Sequence, residues 1–190
     1  MLTFLTSEIR SNLTQEITVG TTRMWKRNGK LHREGDLPAI IKEDGSVSYY
    51  INGELHRDGD KPALVSAEGL KEWWKNGKRT RGGGKPAIID PVSQTFEWWK
   101  NGIRHNDDGP ALLCEADGYQ EYWHNGRRHR DGHKPAIISK FVEKWYFKGE
   151  LHNDSGPAVV DHQTGKMEWW LHGKIQNING RPVEYTYENS

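Results

Sequence analysis

The chain has 190 residues, an apolar fraction of 34%, a mean hydropathy of −0.92, and 27 basic against 26 acidic residues for a formal charge of +1. That balance argues against bulk electrostatic binding to nucleic acid, and no apolar run approaches the ~20 residues of a membrane span. The one cysteine, Cys114, excludes an internal disulfide, and the opening MLTFLTSEIR has neither a basic nor an apolar leader region, so the expectation is a cytoplasmic protein that does not engage membranes.

Residues 1–22 carry no aromatic-Asn-Gly unit and read as an N-terminal cap. Within them the alternation in ITVGTT predicts a strand that covers the first open edge of a sheet. From residue 23 to 179 the chain repeats itself. The hexapeptide EWWKNG occurs twice, ending at Gly77 and Gly102, and aligning on that turn gives seven units. Their turn glycines, Gly29, Gly53, Gly77, Gly102, Gly126, Gly149 and Gly173, lie 23 to 25 residues apart. Asn-Gly between aromatic and long side chains predicts a two-residue type I′ hairpin, because both turn positions need φ > 0. The first six units then reach a Pro-Ala step shortly after a glycine, where proline suits the first residue of a strand, and two aliphatics follow. No segment keeps helical periodicity beyond a turn. The prediction is an all-β antiparallel meander of seven hairpin repeats, forming an elongated, twisted sheet that is either open or curled. Residues 180–190 alternate Val183, Tyr185 and Tyr187 and read as an edge strand closing the other end.

Tandem hairpin units of this length, with an aromatic ahead of Asn-Gly, resemble MORN-type repeats, and are most similar to the variant carrying an aromatic-x-x-Asn-Gly-x core. The resemblance spans nearly the whole chain, but the His-Arg…Gly-Pro-Ala half of the unit lies outside it. It implies a single-layer sheet with an aromatic-lined groove serving as a scaffold or dimerisation module. Some bacterial proteins with the variant repeat are antitoxins, and lipid binding has been proposed for some MORN arrays.

A two-residue hairpin fixes cross-strand register. With Asn76-Gly77 at the tip, Trp74 faces Arg79, Trp73 faces Thr80 and Glu72 faces Arg81. Successive side chains alternate, so Trp73 and Trp74 point to opposite faces. The first aromatic is present in every unit, usually opposite His; the second is absent only from the first unit, where Lys26 marks a capping repeat. The second aromatic splits the array: outer units set Leu or Ile opposite it, while Trp74, Trp99 and Trp123 face Arg79, Arg104 and Arg128. Glu72–Arg81 and Glu121–Arg130 complete the expected stripe as cross-strand ion pairs. Three readings stand: both aromatic stripes are core, the Trp/Arg stripe is a binding groove, or it is a dimer interface. The aliphatic pairs place Ile40 opposite Tyr49 but Leu113 opposite Tyr122, which predicts a bulge in the fourth unit.

The repeated His followed by an acid matches no standard metal-ligand spacing. The expectation is no metal, each His packing beside its aromatic partner and bonding the Gly-Pro loop. Cys114 reads as a buried small residue. Gly82-Gly83-Gly84 is too short a signal for a phosphate cradle. No unique polar cluster suggests an enzyme or a cofactor. The functional expectation is a non-enzymatic scaffold binding a protein partner through the Trp74, Trp99, Trp123 face, with a homodimer through that stripe as one form. The alternatives are a binder of an anionic, nucleotide-like small molecule held by the three arginines, of phage or viral origin, and an antitoxin-like or carbohydrate-binding repeat.

Overall fold

The computed structural model describes residues 13–182. Among them the fold is all-β without a helix, so none is long and apolar enough to cross a membrane. The chain divides into two compact halves, Met1–Gly102 and Ile103–Ser190. Each half is an antiparallel meander whose pairing runs from one end strand to the other without closing into a barrel. In the first, Gln15–Val19 pairs with Thr22–Arg27, as ITVGTT predicts, and pairing continues through Ile40–Ile41, Val47–Ser48, Leu64–Val65 and Lys71–Glu72 to Ile88–Asp90 and Thr95–Glu97. In the second it runs from Leu112–Cys114 through Tyr119–Glu121, Ile137–Ile138, Val142–Lys144, Val159–Asp161 and Met167–Leu171 to Lys174–Ile178 and Arg181–Pro182. Val183, Tyr185 and Tyr187 lie outside the described residues.

The first aromatic of a repeat is a branch point. Trp73 donates its N–H to Ala87 and accepts at its carbonyl from Thr80; Trp25, Tyr49, Tyr122 and Trp145 do the same with an alanine and a histidine. The strand ahead of the aromatic therefore pairs in the main sheet, while the strand behind it pairs with its own hairpin return, as in Trp74↔Arg79. The alanine after each proline sits where these paths meet. Ala39, Ala63 and Ala87 in the first half and Ala111, Ala136 and Ala158 in the second are all 0% exposed, each in a position that suits only a methyl group.

The branch corrects the expected bulge. The first aliphatic of each pair faces the residue before the aromatic, not the aromatic itself: Ile40↔Ser48, Leu64↔Glu72, Ile88↔Glu97, Leu112↔Glu121, Ile137↔Lys144 and Val159↔Glu168. Register is uniform because connecting loops of different length absorb the differences. A register shift lies elsewhere, between Trp169 and Trp170.

The hairpin turns have left-handed backbone at both central residues, as type I′ requires. Asn28, Asn52, Asn76, Asn101 and Asn125 have φ near 50°, and Lys148 and His172 are forced into the same region. The turn glycine serves a second purpose. The side chain following one turn lies across the glycine of the next, with Lys30 3.5 Å from a Cβ built on Gly53 and Ile103 2.8 Å from one built on Gly126. At most of these turns this is ordinary contact, and only at Gly126 does the stacked neighbour leave no room for a Cβ.

Candidate interaction face

On the face carrying the second aromatic, a repeated triad forms. Glu72 and Trp74 stand two residues apart on one strand and share a face, and the indole Nε1 donates to Glu72 at 2.8 Å. Trp99–Glu97, Trp123–Glu121 and Trp170–Glu168 repeat this bond at 2.8, 2.6 and 2.8 Å. The opposed arginine closes the triad: Arg79 donates to Glu72 at 2.9 Å, and Arg128 reaches Glu121 at 3.4 Å.

The guanidinium groups also stack between rings. In the first half Arg79 lies 4.6 Å from the Trp74 ring centre and 4.9 Å from that of Trp99. In the second half Arg104 lies 5.3 Å from Trp123, and Arg128 sits between Trp123 at 4.8 Å and Tyr146 at 5.7 Å. The expected Trp/Arg stripe is thus present within each half, its rings half-buried and its arginines engaged by carboxylates.

Glu121 is the most enclosed member, 6% exposed between Leu112 and Ile137. Burial pushes its carboxyl upward as the largest single influence, but bonds from Tyr119, Trp123 and Arg128 together outweigh it and hold the group below the usual carboxylate range. Arg104 adds a cation at 3.8 Å. The Tyr119 hydroxyl donates to the same carboxylate, and burial followed by this bond pushes its own ionisation up to about 12.

Two expected ion pairs are not formed. Arg81 does not face Glu72, nor Arg130 Glu121, because the return strand leaves the hairpin at the branch point and Ile88 and Ile137 take the positions opposite the glutamates. Arg81 instead lies flat over Trp73 at 3.7 Å, caps the Pro86 carbonyl and pairs with Asp60 at 2.6 Å; Arg130 lies over Tyr122 at 3.6 Å and caps Pro135. Arg33 over Trp25 and Arg57 over Tyr49 follow the same plan. These arginines therefore belong to the opposite face, with the first aromatic. Where the loop is one residue shorter, Asn106 and Asn153 replace them and cap Pro110 and Pro157 through the side-chain amide. The signal was legible: the residue after the repeated His, or after Thr80 in the third repeat, is Arg when proline follows five positions later and Asn when it follows four.

The histidines bond the next turn through Nδ1, and Nε2 of His32 and His129 also reaches Glu34 and Asp131 in the Gly-Pro loop, as expected, at 3.4 and 3.0 Å. Nδ1 of His32, His56, His105, His129 and His152 accepts the backbone N–H of Asn52, Asn76, Asn125, Lys148 and His172 at 3.1–3.3 Å. Each is a staple between consecutive hairpins. His105, Asp107 and His124 each bring a ligand atom within 4.8 Å of the others. A donor at Nδ1 leaves the proton of neutral His105 on Nε2, which stands 2.9 Å from Asp107 without the alignment of a hydrogen bond. A metal at Nε2 would have to break the Asn125 staple, so the ring's environment opposes coordination. Cys114 is half-buried at the end of its strand. No protein-family model and no curated protein matches the chain.

Proposed function

We propose that the chain is a non-enzymatic repeat scaffold, working in the cytoplasm, that binds a protein partner through the Glu/Trp/Arg face. The observation that carries this reading is the neutral, pre-ordered packing of that face. Half-buried Trp and Arg side chains are held rigid by Glu72 and Glu121, so a partner meets large rings whose rotamers are already fixed. The resemblance to MORN-type repeats supports a scaffold role.

The same packing disfavours the nucleotide-like alternative on Trp74, Trp99 and Trp123. Arg79 and Arg128 already face carboxylates, and an anion would have to displace them. A homodimer through this face is the version in which the partner is a second copy.

The test compares wild type with an Arg79→Gln/Arg128→Gln variant. Native mass and thermal melting first establish the oligomeric state and that the variant folds. A protein captured by wild type, lost with the variant, and rebinding when purified supports the reading. Equal capture by both removes this face from the interaction.

A further inference from the structure

The opposite face holds a cleft of about 510 Å³ between the loops of the second and third repeats, entirely within the first half. We propose that this cleft binds a small molecule bearing a phosphate chain, at a site that touches the Glu/Trp/Arg face through Trp74 but includes none of its arginines.

Arg57, Lys61, Lys75, Arg81 and Lys85 line the cleft against one carboxylate, Asp60. Asp60 is shared by Arg81 and Lys85 at 2.6 Å each, and Asp36 is likewise shared by Arg57 and Lys61. Cationic charge remains in excess. The sibling clefts show no such excess: between the first and second loops Arg33, Arg57 and Lys61 meet Glu34, Asp36 and Asp58, and in the second half Arg130 and Lys134 meet Asp131 and Asp154.

The excess arises in one loop. Where related loops read Arg-Glu-Gly-Asp, Arg-Asp-Gly-Asp and Arg-Asp-Gly-His, the third repeat reads Arg81-Gly82-Gly83-Gly84. Gly83 has φ +71°, a conformation that favours glycine, but Gly82 is not left-handed and nothing lies within 4 Å of a Cβ built there. Neither strain nor crowding demands glycine at position 82. What the residue achieves is the removal of an acid from the cleft wall and the exposure of the backbone.

A second, independent feature lies at the cleft. Trp73 is 6% exposed and its Nε1–H has no hydrogen-bond acceptor among the described residues. The equivalent indoles of Trp98 and Trp145 donate to the loop carbonyls of Gly84 and His133 in the preceding repeats. A buried indole N–H without an acceptor is costly unless a ligand supplies one. An indole donor and clustered Lys and Arg suit the several acceptor oxygens of a phosphate chain, and the cleft is roomier than one phosphate needs.

Calorimetric titration of the full chain with inorganic pyrophosphate and with ATP, at fixed ionic strength, tests the site. Wild type is expected to bind at one site per chain. Gly82→Asp restores the residue of the sibling loops without backbone strain and should weaken binding about tenfold or more with an unchanged melting temperature. Trp73→Phe, which keeps a ring but removes the donor, should weaken it several-fold. ATP bound much more tightly than pyrophosphate would show that the organic portion packs in the cleft; equal affinities would assign recognition to the phosphates alone. No saturable binding of either probe to wild type, or equal affinity in Gly82→Asp, overturns the proposal. Trp74 borders both sites, but Gly82 belongs to this cleft alone and Arg79 and Arg128 do not line it, so the two sets of variants separate the proposals.

Discussion

A single carboxylate, Glu121, shows how closely charge and packing are matched here. Its oxygens accept from a phenol, an indole and the Arg128 guanidinium, with the Arg104 cation 3.8 Å away, and removing its charge takes the facing carboxylate from Arg128. Glu121→Gln is expected to cost about 3 kcal/mol in urea unfolding. The sign of its pH dependence follows from the lowered ionisation. A carboxylate depressed in the folded state contributes fully above its ordinary value of 4.5 and loses that contribution as pH falls through the folded value. The stability gap between wild type and Glu121→Gln should therefore hold constant from pH 7 to pH 5 and shrink below about pH 4. A gap that persists undiminished to pH 3 would mean that charge is not what Glu121 contributes. The glutamate's role was written in the chain yet missed. Glu stands two residues before each second-position Trp, at 72, 97, 121 and 168, whereas Ser48 and Lys144 precede Tyr50 and Tyr146. Tyrosine has no indole N–H to satisfy, and the pattern follows from that.

At the scale of the hairpin, local chemistry was legible and branching was not. Asn-Gly predicts the turn, the turn predicts Trp74↔Arg79 and Lys75↔Lys78, and both pairings are formed. Trp73 still accepts from Thr80, and the prediction fails two residues on, at Glu72–Arg81, because hairpin logic assumes that two strands stay paired. At Trp73 the main sheet competes for the strand and wins through Ala87, leaving Arg81 to the other face. The alanine recurs after each of six prolines, but a residue with almost no side chain does not announce which strand its backbone pairs with. Its importance is testable: Ala63→Val adds volume where exposure is 0%, and should destabilise by about 1–3 kcal/mol. The turns allow two finer tests. Lys148 holds φ 50° in a position that Asn fills elsewhere, so Lys148→Asn should raise stability by about 0.5–1 kcal/mol. Gly29→Ala and Gly126→Ala both place a Cβ on left-handed backbone, but only the second meets Ile103 at 2.8 Å. Gly126→Ala should be the more damaging by about 1 kcal/mol or more, and equal melting temperatures would refute the role assigned to turn stacking.

For the molecule as a whole, stability is built from neighbour-to-neighbour links. His32 holds the turn at Asn52 and His105 the turn at Asn125, while Asp36 and Asp60 reach Arg57 and Arg81 one repeat onward. Such links make unfolding spread from a weakened repeat to its neighbours rather than act on the whole chain at once. Amide exchange on Ala63→Val should accordingly rise most in the repeats flanking position 63 and least at Val159–Asp161. Uniform acceleration along the chain would show a single cooperative block instead. The glycine contacts have a wider implication. Each repeat offers a side chain forward, as Lys30 does to Gly53 and Arg127 to Gly149, and receives one from behind. The repeats are therefore polar building blocks with a leading and a trailing side. A lineage or an engineer can add or delete them only as whole modules, all facing one way, and each new junction must match the acid of one loop to the base of the next.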